Sequence, residues 1–272
     1  GVEVLRCPLW VPPRRADSRG ITGPQRVVRL ASFALSSLPA ALSQVRWRPE
    51  RVIAIAPAVL NAPAALLVAR LAGAKSWLHI QDFELDAARR LQMLPAMGSV
   101  YRLAGMAEGA LYRGFDRVST ISGRMMDHLA SKGVSARRSV LFPNWVDTGQ
   151  IHPLSGYNYL RQELGLEGRR VVLYAGNMGQ KQGLEVLVEA ARRLVGRTDL
   201  LFVLCGVGAA RPRLEKLAAG QPNVRFLPLQ PLERLNELLN LAEMHVLPQA
   251  AGAADLVMPS KLTGMLSSGR PV

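Results

Sequence analysis

The sequence predicts an α/β protein of two units, each built on a parallel sheet with helices on both faces. Three observations predict it. Short apolar runs alternate with helical patterns along most of the chain, which indicates parallel strands crossed by helices. The apolar runs are continuous, as in strands covered on both faces. The series breaks once, between Pro143 and Arg170, where PNWVDTGQIHPLSGYN gathers prolines, glycines and polar turn formers. The expected organisation is a first domain over 1–147, a linker over 148–170 and a second domain over 171–272.

The elements follow in order. Strands are expected at Val2–Arg6, Val52–Ala56, Ser76–Ile80, Arg117–Thr120 and Ser139–Phe142, each a short run rich in aliphatic residues. A short helix is expected over Tyr157–Leu164. The second series comprises Val171–Ala175, Leu200–Cys205, Val224–Leu227 and Met244–Leu247. After its first strand, Leu184, Leu187, Val188, Ala191, Leu194 and Val195 recur at helical spacing, so that helix lays one face on the sheet.

Two windows resemble membrane spans in hydropathy. Val52–Ala69 carries no charge, but Pro57, Asn61 and Pro63 interrupt it, and it divides into a strand, a turn and a helix. Val27–Val45 contains Arg29, Pro39 and Gln44; with Arg14, Arg15, Arg19, Arg26 and Arg29 nearby it suits either a surface-lying amphipathic helix or a core helix with a solvated basic face.

The 272 residues are 49% hydrophobic and 20% charged, enough to build two cores and unlike a disordered chain. The net charge of +14 favours polyanions, anionic lipid headgroups or phosphorylated substrates. The arginines are spread along the chain and aromatics make up 6%, without the alternation of a nucleic-acid stacking surface. Cys7 and Cys205 sit in apolar runs and read as reduced core residues of a reducing compartment. The four histidines have no metal-ligand spacing. Gly1 and the closing GRPV suggest an internal piece of a longer chain.

Candidate chemistry lies at three loops of the second series. LYAGNMGQKQGLEVLVEAARRL places Gly176–Gly183, with Lys181, at the carboxyl end of a strand and the start of a helix. Ligands bind there in open α/β sheets, and glycines let backbone approach a phosphate. It is not a P-loop, since no G-K-[ST] is present. A plain strand-to-helix turn is the alternative. AADLVMPSKLTGMLSSGRPV offers Ser260 as an N-cap and Lys261 beside it. CGVGAARPRLEKL supplies Gly206 and Gly208. Two lysines near helix starts could hold the two phosphates of a nucleoside diphosphate.

These motifs, with NVRFLPLQPLERLNELLNLAEMHVLP behind them and WLHIQDFELDAA, FDRVSTISGRMMDHLASKGV and VLFPNWVDT ahead, occur in an order that resembles glycosyltransferase family 4. The resemblance covers nearly the whole chain and leans to the branch serving colanic acid and related exopolysaccharides. It implies the GT-B architecture: two Rossmann-like domains facing a cleft, donor on the second and acceptor on the first. It implies transfer of a sugar, with retention and no obligatory metal, from a GDP- or UDP-sugar to a lipid-linked oligosaccharide. The expected setting is cytoplasmic, peripheral at an anionic inner-membrane surface; the colanic-acid likeness leans toward GDP-fucose. Carried over residue by residue, the likeness implies donor contacts at Gly176, Asn177, Gly179, Gln180, Lys181, Gly206, Gly208, Leu227, Leu229, Ser260 and Lys261. The candidate catalytic residues are Asp82, Lys181 and Asp255, and Asn144 would sit at the hinge.

The chain departs from the family pattern at several points. Asn177 stands where many members have arginine, and Lys181 lies one residue ahead of the usual lysine, whose place Gln182 takes. Alignment on SGRPV puts Leu256 and Gly264 at the positions of the family's paired glutamates, so ribose recognition has no carboxylate. Gln81-Asp82 replaces a common His-Asp, and His79 reads as a core residue at its strand's end. Two rivals stay open: a nucleotide-sugar epimerase on the same architecture, which needs more cleft carboxylates and histidines, and a non-catalytic polyanion binder.

Overall fold

The computed structural model describes residues 2–11, 23–56, 59–83, 86, 98–179, 182–249 and 258–272. Among these, the chain divides into two compact units. The first runs to Pro143 and includes Met258; the second holds the described residues from Asn144 on, apart from Met258.

The first unit carries four parallel strands in the order β1 (Arg51–Ala56), β2 (Lys75–Ile80), β3 (Arg117–Thr120) and β4 (Ser139–Leu141). The helices around them are α1 (Gly23–Ser43), α2 (Ala62–Ala72), α3 (Gly98–Arg113) and α4 (Gly123–Ser131). Leu78, Ile80, Phe83, Phe115, Val118, Met125 and Leu129 fill the core. The window Val52–Ala69 divides as expected into β1, a turn and α2. The window Val27–Val45 forms α1, with Pro39 inside it, and then a short 3-10 turn. No described helix is long and apolar enough to cross a membrane.

One expected strand is absent. Among the described residues Val2–Arg6 has no strand partner, and Val2 is 93% exposed. An extended run becomes a strand only by pairing its backbone. Just after it, the backbone meets serines of α1: Trp10 N–H donates to Ser32 Oγ at 3.1 Å, and Ser36 Oγ donates to the Pro8 carbonyl at 2.5 Å.

Two polar arrangements fix this unit. Lys132 Nζ reaches Asp86 at 2.6 Å and Glu108 at 2.7 Å, while Tyr112 donates to Glu108 and His128 meets Asp86 at 3.0 Å. This ties α3, α4 and the segment after β2 through mostly buried groups. Burial works against the Lys132 charge, but the hydrogen bonds and charges of Asp86 and Glu108 together prevail and raise its pKa. At the other end of β2, Asp116 Oδ2 accepts from Ser76 N–H at 2.8 Å and from Ser76 Oγ–H at 3.0 Å. The Ser76 amide, first, holds the Asp116 carboxyl below its ordinary value. Asp116→Ala is expected to cost about 1 kcal/mol by leaving that amide unpaired. Because the carboxyl is depressed, its contribution is present above the ordinary carboxylate range and fades as pH falls below it. Urea melts of the two proteins should therefore converge at acid pH.

The second unit carries four parallel strands: β5 (Arg170–Ala175), β6 (Leu200–Cys205), β7 (Val224–Leu227) and β8 (Ala242–His245). Their spatial order is β7-β6-β5-β8. The chain therefore steps outward from β5 to β7 and returns to the other side of β5. Residues 148–170, expected as a linker, are built into this unit: Ile151, Leu160 and Leu166 are buried in it. Asn158 caps α5 (Tyr159–Glu163), accepting from Arg161 N–H, and the Arg161 guanidinium donates to the carbonyls of Leu166, Arg169 and Leu241. The polar turn residues bond within their own unit. The last strand begins at Ala242, two residues before its expected start, and pairing persists beyond it where Val246 N–H donates to the Leu173 carbonyl. The remaining helices are α6 (Glu185–Arg193), α7 (Arg211–Leu217), α8 (Leu235–Asn240) and α9 (Lys261–Ser267). Leu184, Leu187, Val188 and Ala191 bury the expected stripe of α6, whereas Leu194 and Val195 fall beyond its end and are partly exposed.

Candidate active site

The strand order makes the gap between β5 and β8 the topological switch point of the second sheet, where α/β sheets open a crevice at their carboxyl ends. Two described segments flank it: residues 176–179 after β5, called the β5 loop, and the start of α9.

The β5 loop continues the sheet for two more rungs. Gly176 N–H donates to the Cys205 carbonyl at 2.9 Å, and Met178 N–H to the Val207 carbonyl at 2.8 Å. Met178 is fully buried, which pins the loop to the core, while Asn177 points outward. Gly206 and Gly208 lie against this backbone. A Cβ on Gly206 would sit 2.0 Å from the Gly176 carbonyl oxygen, and one on Gly208 would sit 2.3 Å from that of Met178; both residues have positive φ. The G-x-G thus has a packing reason: it lets two loops approach backbone to backbone. At Gly179 the nearest described atoms to an added Cβ belong to the Gln182 side chain and the Asn177 amide.

Lys261 opens α9 and reaches back across the switch point. Its Nζ lies 2.9 Å from Tyr174 Oη and 4.3 Å from the ring centroid of Tyr174. A Cβ on Gly176 would sit 2.5 Å from the same nitrogen. Gly176 is therefore a residue without a side chain because the ammonium occupies that space. No carboxylate among the described residues pairs with Lys261, and burial pushes its pKa down to about 8. A desolvated cation without a fixed counter-ion, at a sheet's switch point, is suited to an anion supplied by a ligand. Tyr174 is itself fully buried and donates to the Asn177 carbonyl at 2.6 Å; burial raises its pKa to about 12, so it stays a neutral phenol.

Other expected residues are placed differently. Ser260 was expected to cap α9 with its hydroxyl; it is exposed, helical in backbone conformation and makes no side-chain cap bond. Its carbonyl instead accepts from Thr263 Oγ1. Pro259 already sets the turn, so the hydroxyl is left toward solvent. Leu227 turns its side chain into the core, whereas Leu229 is 66% exposed. Gln180, Lys181 and Asp255 lie outside the described residues.

Two residues went unread in the sequence. Arg211 Nη1 donates to the carbonyls of Gly206 at 2.6 Å and Leu227 at 2.9 Å, joining the ends of β6 and β7, with Glu215 on its Nε. Tyr174 did leave a signal: a tyrosine in the otherwise aliphatic RVVLYA needs a partner for its hydroxyl once buried.

In the first unit, Asp82 is half-buried just past β2 and beside the buried Phe83. His79 is buried as expected. Its Nδ1 meets Ser119 Oγ at 2.8 Å and Gln81 Nε2 donates to its Nε2 at 2.8 Å, while Phe142 stands edge-on to the ring. Desolvation lowers its pKa, which keeps it neutral. Asn144 is the first residue of the second unit, with a buried Nδ2 that has no hydrogen-bond partner among the described residues.

Comparison with known proteins adds to this geometry. The description of a glycosyl transferase 4-like domain matches residues 1–145, and that of glycosyl transferases group 1 matches 169–272. The chain is 40% identical over 273 residues to a protein of Escherichia coli K12 named as a colanic acid biosynthesis glycosyl transferase, WcaI. That match covers 98% of this chain and 65% of the relative, so the chain spans just under two thirds of it. It is 38% identical over 93 residues to an alpha-D-kanosaminyltransferase of Streptomyces kanamyceticus, covering 33% of this chain and 24% of that one. Among solved structures, Anabaena HepE in complex with UDP and glucose superposes with a TM-score of 0.67 at 15% identity, over 86% of this chain and 62% of that one. A sucrose-phosphate synthase of Thermosynechococcus elongatus gives 0.68 at 19% identity, over 90% and 59%. The shared fold is GT-B.

Proposed function

Because the chain belongs to the glycosyl transferase 4-like family, we propose that it serves the transfer of a sugar from a nucleoside-diphosphate donor to a lipid-linked glycan acceptor in exopolysaccharide synthesis. The observation that carries this reading is Lys261: a half-buried ammonium with no carboxylate partner among the described residues, beside the side-chain-free Gly176 at the switch point. The relative named for colanic acid synthesis and the UDP-bound neighbour support a nucleotide sugar as its ligand.

In this reading Lys261 contacts the donor diphosphate and neutralises the charge that grows on it as the glycosidic bond breaks. That interaction is stronger in the transition state than in the ground state, and so speeds the reaction. Lys181, expected from the sequence to serve the same diphosphate, remains a candidate for it. Asp82 in the first domain and Asp255 remain the candidate groups for the acceptor and donor sugars. The anomeric configuration is retained, no metal is required, and the base is guanine or uracil.

The acceptor is membrane-borne. A basic chain is drawn to an anionic bilayer. On α1, Val28 and Leu35 share an exposed stripe, and Trp47, 76% exposed, stands between the exposed Arg46 and Arg48 just after it. Tryptophan flanked by arginines suits a lipid–water boundary. Sedimentation with anionic liposomes at low salt is expected to carry the protein down, and Trp47→Ala to weaken this severalfold; a protein that stays in the supernatant removes the membrane part.

Transfer is tested by supplying labelled UDP- and GDP-sugars with a lipid extract. Release of nucleoside diphosphate together with label in the lipid phase is the expected result. Nucleotide release without labelled lipid would remove the acceptor, and interconversion of the free nucleotide sugar would favour the epimerase. Binding of any polyanion with steep salt dependence and no response to nucleotide sugars would favour the binder.

A further inference from the structure

We infer that Tyr174 is a positioning residue that joins the two halves of the donor-phosphate site, setting Lys261 against the β5 loop before any ligand arrives. The inference rests on the reading of Lys261 as a phosphate contact.

The phenol oxygen has two partners on opposite sides. It accepts from Lys261 Nζ at 2.9 Å and donates to the Asn177 carbonyl at 2.6 Å. One O–H therefore connects the first residue of α9 with the β5 loop, two segments far apart in sequence that flank the crevice. The hydroxyl cannot serve a third partner as donor, so the direction of the chain is fixed: ammonium to phenol, phenol to carbonyl. Its ring lies under the same ammonium, 4.3 Å from the nitrogen to the centroid, an arrangement that attracts a cation. A lysine side chain has four rotatable bonds and sweeps a wide volume when free. Here the phenol and the space at Gly176 hold the charged end in one place. A ligand then meets a cation already oriented and loses less in ordering it. The carbonyl of Asn177, turned to the phenol, is likewise kept from facing an incoming phosphate oxygen, which it would repel.

The chemistry separates Tyr174 from a core aromatic that merely fills space. Tyr174→Phe keeps the ring and its packing in β5 and removes both hydrogen bonds. The expected result is a roughly tenfold loss of affinity for UDP and GDP, equivalent to about 1.4 kcal/mol, with an unchanged fold by circular dichroism. In a Lys261→Met background the same change is expected to cost less than about twofold, since the group it positions is gone. The pH profile gives a further readout. Without the phenol oxygen the ammonium loses an acceptor for its charged form, so the pH at which nucleotide affinity falls away should move down in Tyr174→Phe. Tyr174 is the titratable group in contact with Lys261 among the described residues.

The outcomes divide cleanly. If Lys261→Met loses nucleotide affinity and Tyr174→Phe does not, positioning by Tyr174 is overturned and the phosphate reading stands. If Tyr174→Phe costs the same in both backgrounds, its effect does not run through Lys261 and the inference is likewise overturned. If Lys261→Met binds UDP and GDP as the parent does, the phosphate reading falls and takes the inference with it. Should Tyr174→Phe fold poorly, the cycle is run with Tyr174→Trp, which keeps a buried aromatic and a polar N–H but no acceptor; unaltered coupling to Lys261 would then overturn the inference.

Discussion

Alanine at Gly206 or Gly208 is expected to destabilise the second unit by about 3 kcal/mol or more. The φ angles are +141° and +155°, where a side chain is strained. The added Cβ would also meet backbone oxygens of the β5 loop at 2.0 and 2.3 Å. Backbone held by Gly176 N–H and Met178 N–H bonds cannot step aside as a flexible side chain would. The same displacement would disturb the proposed nucleotide site. Gly264→Ala is the control: its Cβ would lie 3.5 Å from Leu239, an ordinary contact, within α9. It should be neutral or stabilising by up to about 1 kcal/mol. Urea denaturation distinguishes the two classes. If the G-x-G glycines served ligand approach alone, their alanine variants would fold normally and lose only binding.

Lys261→Met is expected to move stability and binding in opposite directions. A hydrogen bond to a charged group contributes about 1.5–3 kcal/mol, so nucleotide affinity should fall roughly tenfold to a hundredfold. The free protein should become more stable, because methionine fills the space without a desolvated charge. The sign of the pH dependence follows. The pKa in the fold is lowered to about 8 from 10.5. The fold therefore disfavours the ammonium: its destabilisation is complete below about 8 and is relieved as pH rises toward the ordinary lysine value. Nucleotide affinity runs the other way, holding below about 8 and falling above it as the charge is lost. A methionine variant should show neither trend. A lysine kept at a cost to stability is consistent with a group held for a ligand.

The sheets were legible wherever burial on both faces left a continuous apolar run. Arg117–Thr120, Leu200–Cys205 and Val224–Leu227 have the ends expected of them. Val2–Arg6 was not legible, because its pattern states only that the chain is extended and pairing is decided by neighbours. The linker was misread for a related reason. Its prolines, glycines and polar residues mark turns, but nothing local reveals that Asn158 and Arg161 satisfy carbonyls of the second unit. At the site, the position of the β5 loop and of Lys261 followed from strand ends and helix starts. The roles of Gly206 and Gly208 did not, since a glycine required by a ligand and one required by a neighbouring backbone read alike. Tyr174 and Arg211 act through partners far away in sequence, and only the folded chain brings those partners to them.

The central claim is that the second unit's switch point holds a nucleoside diphosphate on Lys261. The most direct measurement is calorimetric titration of UDP and GDP into the protein and into Lys261→Met at physiological salt. Saturable binding of at least one nucleotide, weakened at least about tenfold by the substitution, is the predicted result. A folded protein that binds neither nucleotide, or binds one equally well without the Lys261 charge, would contradict it.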